Sequence, residues 1–236
     1  MSGRTALVTG ASRGIGRACA EQLDRLGYRL LLTARSSADL DHVRKRLTEP
    51  DQHYLWPADL AVEQDISDLV QAVYRHWDHL DLLVLNAGIA DNIAIEDTDV
   101  DSWDRIFAVN VRAPFLLVKG LLPALRLEPG RIIVIGSVVS TAAYPHQGAY
   151  VASKHALHGF SRVLARELHT QGVIVQTIRP GGVATDMVHR VRPDIDASQL
   201  VAPEEVARAM EFLLSQQGNG ITDEILIRRR GKEPET

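Results

Sequence analysis

Residues 4–16 read RTALVTGASRGIG, and this stretch decides the fold. The apolar run Ala6-Leu7-Val8 is short and ends at Thr9-Gly10; glycines then stand at 10, 14 and 16, and the following RACAEQLDRLGY repeats its apolar positions at helical spacing. The predicted order is strand, tight glycine turn, helix. In such a turn the first glycine lets the chain reverse, the second lets backbone approach a pyrophosphate, and the third lets the helix pack closely. The helix start adds unpaired N–H groups and the positive end of a dipole, so this segment is suited to the phosphates of a dinucleotide.

Outward from this unit, strand-like runs recur near 4–10, 28–34, 52–57, 81–86, 130–137, 172–179 and 221–228, with helical patterns between them. The alternation predicts an α/β fold: a doubly wound parallel sheet with right-handed crossovers and helices on both faces. The simplest order is 3-2-1-4-5-6, with a seventh strand added beside strand 6. Ligands of such sheets bind beyond the carboxyl ends of the strands at the switch point, where Gly10, Arg35, Asp59, Asn86, Ser137 and Pro180 all fall. A chain of 236 residues with 45% apolar content fits one domain over 1–236. Its cofactor half covers about 1–90, its catalytic and substrate elements about 91–228, and its tail 229–236.

Nineteen residues past Gly16, Arg35 closes the run YRLLLTAR, where a site for NAD places an acid against the ribose hydroxyls. A guanidinium there suits a ribose 2′-phosphate instead, and Arg13 in the glycine turn is placed to join it. The pair predicts NADP(H) rather than NAD(H). Asp39, in the helix that follows, points the other way.

Further on, AYVASK puts Tyr150 and Lys154 four residues apart, and RIIVIGS ends at Ser137, thirteen residues before the tyrosine. On a helix the tyrosine and lysine share a face, with Cβ atoms about 5–6 Å apart. Alone, the pair reads as an ordinary core-edge and surface couple. Beside a dinucleotide site it gains a chemical role, because Lys154 and a positive nicotinamide ring would lower the phenol from about 10 toward neutrality, a shift worth about 4 kcal/mol. The phenol then exchanges a proton with a carbonyl/alcohol pair whose oxygen Ser137 holds.

With these residues in hand, the chain resembles the short-chain dehydrogenase/reductase family in its compact, NADP-preferring branch, from about Arg4 to Thr185. The family's TGxxxGxG motif matches Thr9 to Gly16, its acid after the third strand matches Asp59, its NAG motif matches Asn86-Ala87-Gly88, and its PG motif matches Pro180-Gly181. The resemblance implies a Rossmann fold with strand order 3-2-1-4-5-6-7. It implies a catalytic set of Asn110, Ser137, Tyr150 and Lys154, with Asn110 in a water-borne proton relay to Lys154. It places NADP(H) on Gly10, Ser12, Arg13, Gly14, Ile15, Gly16, Arg35, Asp59, Leu60, Asn86, Ala87, Gly88, Tyr150, Lys154, Pro180, Gly181, Val183 and Thr185, the last beside the nicotinamide carboxamide.

The activity implied is NADPH-dependent reduction of a small-molecule carbonyl, a ketone or 3-oxoacyl group, to an alcohol. Oxidation of a small hydroxy acid or alcohol, and a non-catalytic NADP-binding regulator, are the alternatives. An extended-type sugar epimerase is disfavoured by the glycine spacing and by the short chain left after residue 181. The family also builds dimers or tetramers through helices corresponding to about 101–126 and 148–170, both apolar over much of their circumference here. The substrate pocket is expected between Val138–Gln147, the segment after Gly88, and a lid-like loop from Gly182 to about Val201. The ending ITDEILIRRRGKEPET departs from the family's usual Val-Asp-Gly-Gly.

The remaining composition excludes several classes. With 26 basic and 30 acidic residues the formal charge is −4, which gives no footprint for nucleic acid. The run Arg228-Arg229-Arg230 with Lys232 reads as a solvated tail. Met1-Ser2-Gly3-Arg4 leads straight into the first strand without a signal peptide, and no apolar stretch reaches membrane-spanning length, so a cytoplasmic protein is expected. Cys19, the single cysteine, reads as a small buried helix residue. The nine histidines form no HExxH pattern, and no metal is expected.

Overall fold

In the computed structural model, residues 3–233 are described; Met1-Ser2 of the start and 234–236 of the tail lie outside them. Seven strands form one parallel sheet in the order β3-β2-β1-β4-β5-β6-β7. They are β1 (Thr5–Thr9), β2 (Arg29–Ala34), β3 (Tyr54–Pro57), β4 (Leu82–Leu85), β5 (Arg131–Ile135), β6 (Ile174–Pro180) and β7 (Glu224–Ile227). Register runs Leu7 beside Leu31 and Leu83, then Leu83 beside Ile132 and Ile132 beside Val175.

Because side chains alternate across each strand, two apolar cores result. Leu7, Leu31, Leu83, Ile132 and Val175 pack on one side against α3 (Glu63–His76), α5 (Ala113–Leu127) and α6 (Gly148–Leu168). Val8, Leu32, Val84, Ile133 and Ile178 pack on the other against α1 (Gly14–Arg25), α2 (Ser37–Arg44) and α8 (Pro203–Ser215). Strands covered on both faces must be apolar throughout, which is why LLVL and RIIVI lack alternation in sequence. Cys19 is fully buried in the second core, and burial pushes its thiol up to about 12.

The long helix read over 101–126 is built in three pieces. A first segment, α4 (Val100–Phe107), passes into a π-helical turn at Ala108–Arg112 and then into α5. The continuous span Val100–Leu127 is 28 residues long and apolar enough to cross a membrane by composition, contrary to the sequence expectation. That expectation counted only unbroken apolar runs. Here the span is a core helix with half of its apolar window buried, packed on α3 and α6.

The loop after β6 is more ordered than a lid-like reading implied. It folds into α7 (Asp186–Val191), and its two ends are paired by Ala184 N to Val201 O at 2.8 Å and Val201 N to Gly182 O at 3.0 Å. The basic tail also differs from a freely solvated one. Gly181 N bonds Ile227 O at 2.7 Å, the Arg229 side chain lies against Gly182, and Arg228 Nη1 turns back to the Lys232 carbonyl at 2.6 Å.

Candidate active site

Gly10, at the end of β1, has φ 64°, and Gly14, opening α1, has φ 53°, values that favour glycine. At Gly16 the reason is space: a Cβ there would overlap the Gly10 carbonyl oxygen. Asn86 braces the turn from β4, its Nδ2 donating to Thr9 O at 2.8 Å and Gly10 O at 3.2 Å. Thr9 Oγ1 in turn accepts the N–H groups of Asn86 at 2.9 Å and Ala87 at 3.0 Å. The residue before α1, Arg13, is extended and supplies no side-chain cap, so the start of this 12-residue helix keeps its dipole and N–H groups for an anion. A glycine cradle and an uncapped helix start fit the pyrophosphate of a dinucleotide.

A cleft of about 590 Å³ opens along this carboxyl edge. That volume suits a small-molecule ligand. Of the eighteen residues expected to hold the cofactor, all but Gly16 line it. Gly16 sits behind the turn as packing.

Arg35 and Arg13 both border the cleft, but Arg13 Nη1 also bonds Asp186 of α7 at 3.0 Å. Both partners of that pair are more than half exposed, so it contributes little, at most about 1 kcal/mol. Asp59 forms the far rim. Burial acts to raise its carboxyl, yet the Ala61 N–H and the Arg105 and Arg35 guanidiniums outweigh that and hold it below the usual range. Arg105 Nη2 reaches Asp59 Oδ2 at 2.8 Å. The sequence reading missed Arg105, because only the packing of α4 over the sheet edge brings it there. It also missed Ser36 and Asp186 on the cleft wall.

Ser137, Tyr150 and Lys154 meet on the cleft wall beside Gly88. Ser137 begins a 3-10 turn (Val138–Ser140), and its Oγ accepts Val139 N at 3.2 Å. Lys154 is nearly buried; its Nζ donates to Ile135 O at 3.1 Å and lies 6.0 Å from the centre of the Tyr150 ring. Burial lowers the ammonium from 10.5 to about 8, so it still carries its charge at neutral pH.

For Tyr150 the protein's own groups act differently from the lowering expected of Lys154 together with the positive ring of a bound nicotinamide. Burial raises the phenol, opposed by a hydrogen bond with Ser137, because desolvating a phenolate costs more here than the single hydroxyl returns. The lysine's charge is directed at the Ile135 carbonyl. The phenol is therefore held in its proton-donating form.

Asn110 lies in the π-helical turn, fully buried and behind the cleft. Its amide pairs with the Ile89 backbone like a neighbouring strand, accepting Ile89 N at 2.9 Å and donating to Ile89 O at 2.9 Å, and it donates to Ser153 Oγ at 2.9 Å. Gly88 separates it from the lysine: a Cβ there would lie 3.4 Å from Asn110 Oδ1 and 3.7 Å from Lys154 Nζ.

On the opposite wall, Pro180, Gly181, Val183 and Thr185 follow β6. Thr185 caps α7, and its methyl group meets Gly14. The substrate-side expectation holds for Ile89, Met187 and Val188, but not for Val138–Gln147, none of which lines the cleft. That segment is anchored at its ends instead, with Val139, Ser140 and Gln147 buried and Ile93 N bonded to His146 O at 2.7 Å, while Thr141, Ala143, Pro145 and His146 are exposed. Among the described residues, no group of three or more His, Cys, Asp or Glu side chains could hold a metal ion.

A family model described as short chain dehydrogenase matches residues 4–196. The 3-oxoacyl-(acyl-carrier-protein) reductase FabG of Salmonella typhimurium is 36% identical over 234 residues, covering 95% of each chain. The D-beta-hydroxybutyrate dehydrogenase of Rhizobium meliloti is 34% identical over 209 residues, 86% of this chain and 80% of that one. Among solved structures, an alcohol dehydrogenase of the archaeon Thermococcus sibiricus, complexed with 5-hydroxy-NADP, superimposes with a TM-score of 0.89 at 28% identity, covering 99% of both chains.

Proposed function

The chain belongs to the short-chain dehydrogenase/reductase family and is an oxidoreductase, and from that premise we propose that, as one domain, it uses NADPH to reduce a 3-oxoacyl-type ketone, with Tyr150 as proton donor. The carrying observation is that the phenol of Tyr150, the hydroxyl of Ser137 and the ammonium of Lys154 border the same cleft as the glycine turn and Arg35.

Gly10 to Gly16 and the start of α1 hold the pyrophosphate, Arg35 and Arg13 the 2′-phosphate, Asp59 and Leu60 the adenine side, and Asn86-Ala87-Gly88 the ribose wall. Pro180, Gly181, Val183 and Thr185 flank the nicotinamide end. The bound cofactor supplies the hydride taken up by the carbonyl carbon. Tyr150 gives its proton to the carbonyl oxygen, which Ser137 steadies with a hydrogen bond as negative charge builds there. Lys154 binds the nicotinamide ribose and stabilises the phenolate left behind. Asn110 fixes Ile89 and Ser153 around the space beside Gly88, through which a water returns the proton.

NADP(H) is favoured by two arginines with no acid at position 35, and by the NADP analogue in the Thermococcus enzyme. The substrate class follows the named relatives, both of which act on an oxygen at the third carbon of an acyl chain. The second of these is a dehydrogenase by name, which favours hydroxy-acid oxidation as the other reading. We also place a dimer or tetramer contact on the outer faces of α5 and α6, where Phe115 and Val163 are exposed.

NADPH oxidation measured against acetoacetyl thioesters, α-diketones and, in reverse, hydroxy acids tests the class. Tyr150→Phe is expected to cut kcat by at least about 100-fold while leaving NADPH binding in place. A Phe variant that turns over normally rules out this assignment.

A further inference from the structure

β7 opens with an acid, Glu224, and its carboxylate meets side chains from two elements that frame the catalytic wall. Arg179, the residue before Pro180 on β6, makes an ion pair from Nε to Glu224 Oε1. His158, one helical turn past Lys154 on α6, brings Nε2 to 3.3 Å from the same oxygen. Neither nitrogen is aligned as a hydrogen-bond donor, so the arginine meets the carboxylate through charge and the histidine through packing.

The rest of Arg179 grips the serine turn at both ends. Its Cγ lies against Gly136, where a Cβ would approach to 3.3 Å, and its Nη1 donates to Thr141 Oγ1 at 2.8 Å. Between those two residues, Ser140 N bonds Ser137 O at 3.0 Å and Thr141 N bonds Val138 O at 3.3 Å. The Arg179 side chain is only 12% exposed, so its direction is fixed by this packing.

We propose that Arg179 is a positioning residue for Ser137: it clamps the turn that aims the hydroxyl, and Glu224 sets the clamp in register with the helix carrying Tyr150. The proposal rests on the reading of Ser137 and Tyr150 given above. A guanidinium has the planar fork to serve Glu224 and Thr141 at once, whereas a lysine ammonium is a single point charge. A hydroxyl that must meet a developing oxyanion tolerates little displacement, on the order of 0.5 Å.

The test is a kinetic double-mutant cycle with NADPH and the panel ketone turned over fastest. Arg179→Lys is expected to lower kcat about tenfold, with KM for the ketone and the NADPH dissociation constant changed less than about twofold. In a Ser137→Ala background the same change is expected to have no further effect, because nothing is left to aim. Thr141→Val, which removes the hydroxyl that accepts from Arg179 and donates weakly to Val138 O while keeping the side chain's shape, should reproduce part of the loss with little change in melting temperature and covers the case of a poorly folding lysine variant. An equal loss from Arg179→Lys in both backgrounds overturns the proposal, as does an unchanged kcat in the parent. If Ser137→Ala itself turned over normally, the catalytic reading would fall together with the proposal; an impaired Ser137→Ala beside a normal Arg179→Lys sinks the proposal alone.

Discussion

Lys154 shows burial and chemistry opposed within one side chain. Folding lowers its pKa from 10.5 to about 8, with burial as the cause, so the protein carries a desolvated charge at neutral pH to keep an ammonium beside Tyr150. Between about pH 8 and 10.5 the unfolded chain holds that proton more tightly than the folded one, and stability rises with pH through this window. Lys154→Met should therefore melt several degrees higher than the parent at pH 7, the gap closing toward pH 10, while turnover is lost; thermal unfolding across that pH range checks both signs. A parent whose stability falls over the window would contradict the buried, charged lysine. Arg35 is the matching case at the cleft rim, exposed and bordering the adenosine end. Arg35→Asp should weaken NADPH by at least about tenfold, equivalent to 1.4 kcal/mol, and leave NADH unchanged or tighter in a fluorescence titration.

Among the elements, the strand–turn–helix over Arg4 to Arg25 was readable because its constraints are local: a positive φ at Gly10 and a collision at Gly16 exclude other residues. The π-helical turn was only half readable. Asn110 came forward only through the family resemblance, because the extra residue in the turn leaves no trace in the spacing of its neighbours. Arg105 and Arg179 were invisible as site residues, since only tertiary packing joins them to Asp59 and Thr141. The lysine's own partner was not legible for a related reason: spacing shows that Tyr150 and Lys154 share a face but not that the ammonium donates a hydrogen bond to Ile135 O. Asn110→Ala removes the partner of both partly buried Ile89 backbone groups and of the buried Ser153 hydroxyl, which should cost about 1–2 kcal/mol. A melting temperature within a degree of the parent would show that the amide is not what closes this turn.

Across the whole molecule, two cores flanking one parallel sheet were legible because each strand needs apolar side chains on both faces, and the strand order follows from short right-handed crossovers. What that economy leaves unexplained is the apolar surface pointing away from the sheet. Phe115 on α5 is 45% exposed and Val163 on α6 is 52% exposed, and Phe115 packs edge-on to Phe160 at 6.2 Å, so apolar groups of the two helices meet at the surface, with Lys119 over the Phe115 ring. The dimer or tetramer contact proposed above would cover it with a second copy, since an isologous contact buries the same patch twice. Phe115→Arg would then place an unpaired charge in the contact without disturbing the core, because the side chain already stands half in solvent. We expect the parent to sediment as a dimer or tetramer and the arginine variant as a smaller species with an unchanged circular dichroism spectrum. Its kcat should fall if the contact steadies α6 and the Tyr150 it carries. A monomeric parent, or an assembly that keeps its size with arginine at position 115, would put the contact elsewhere on the molecule.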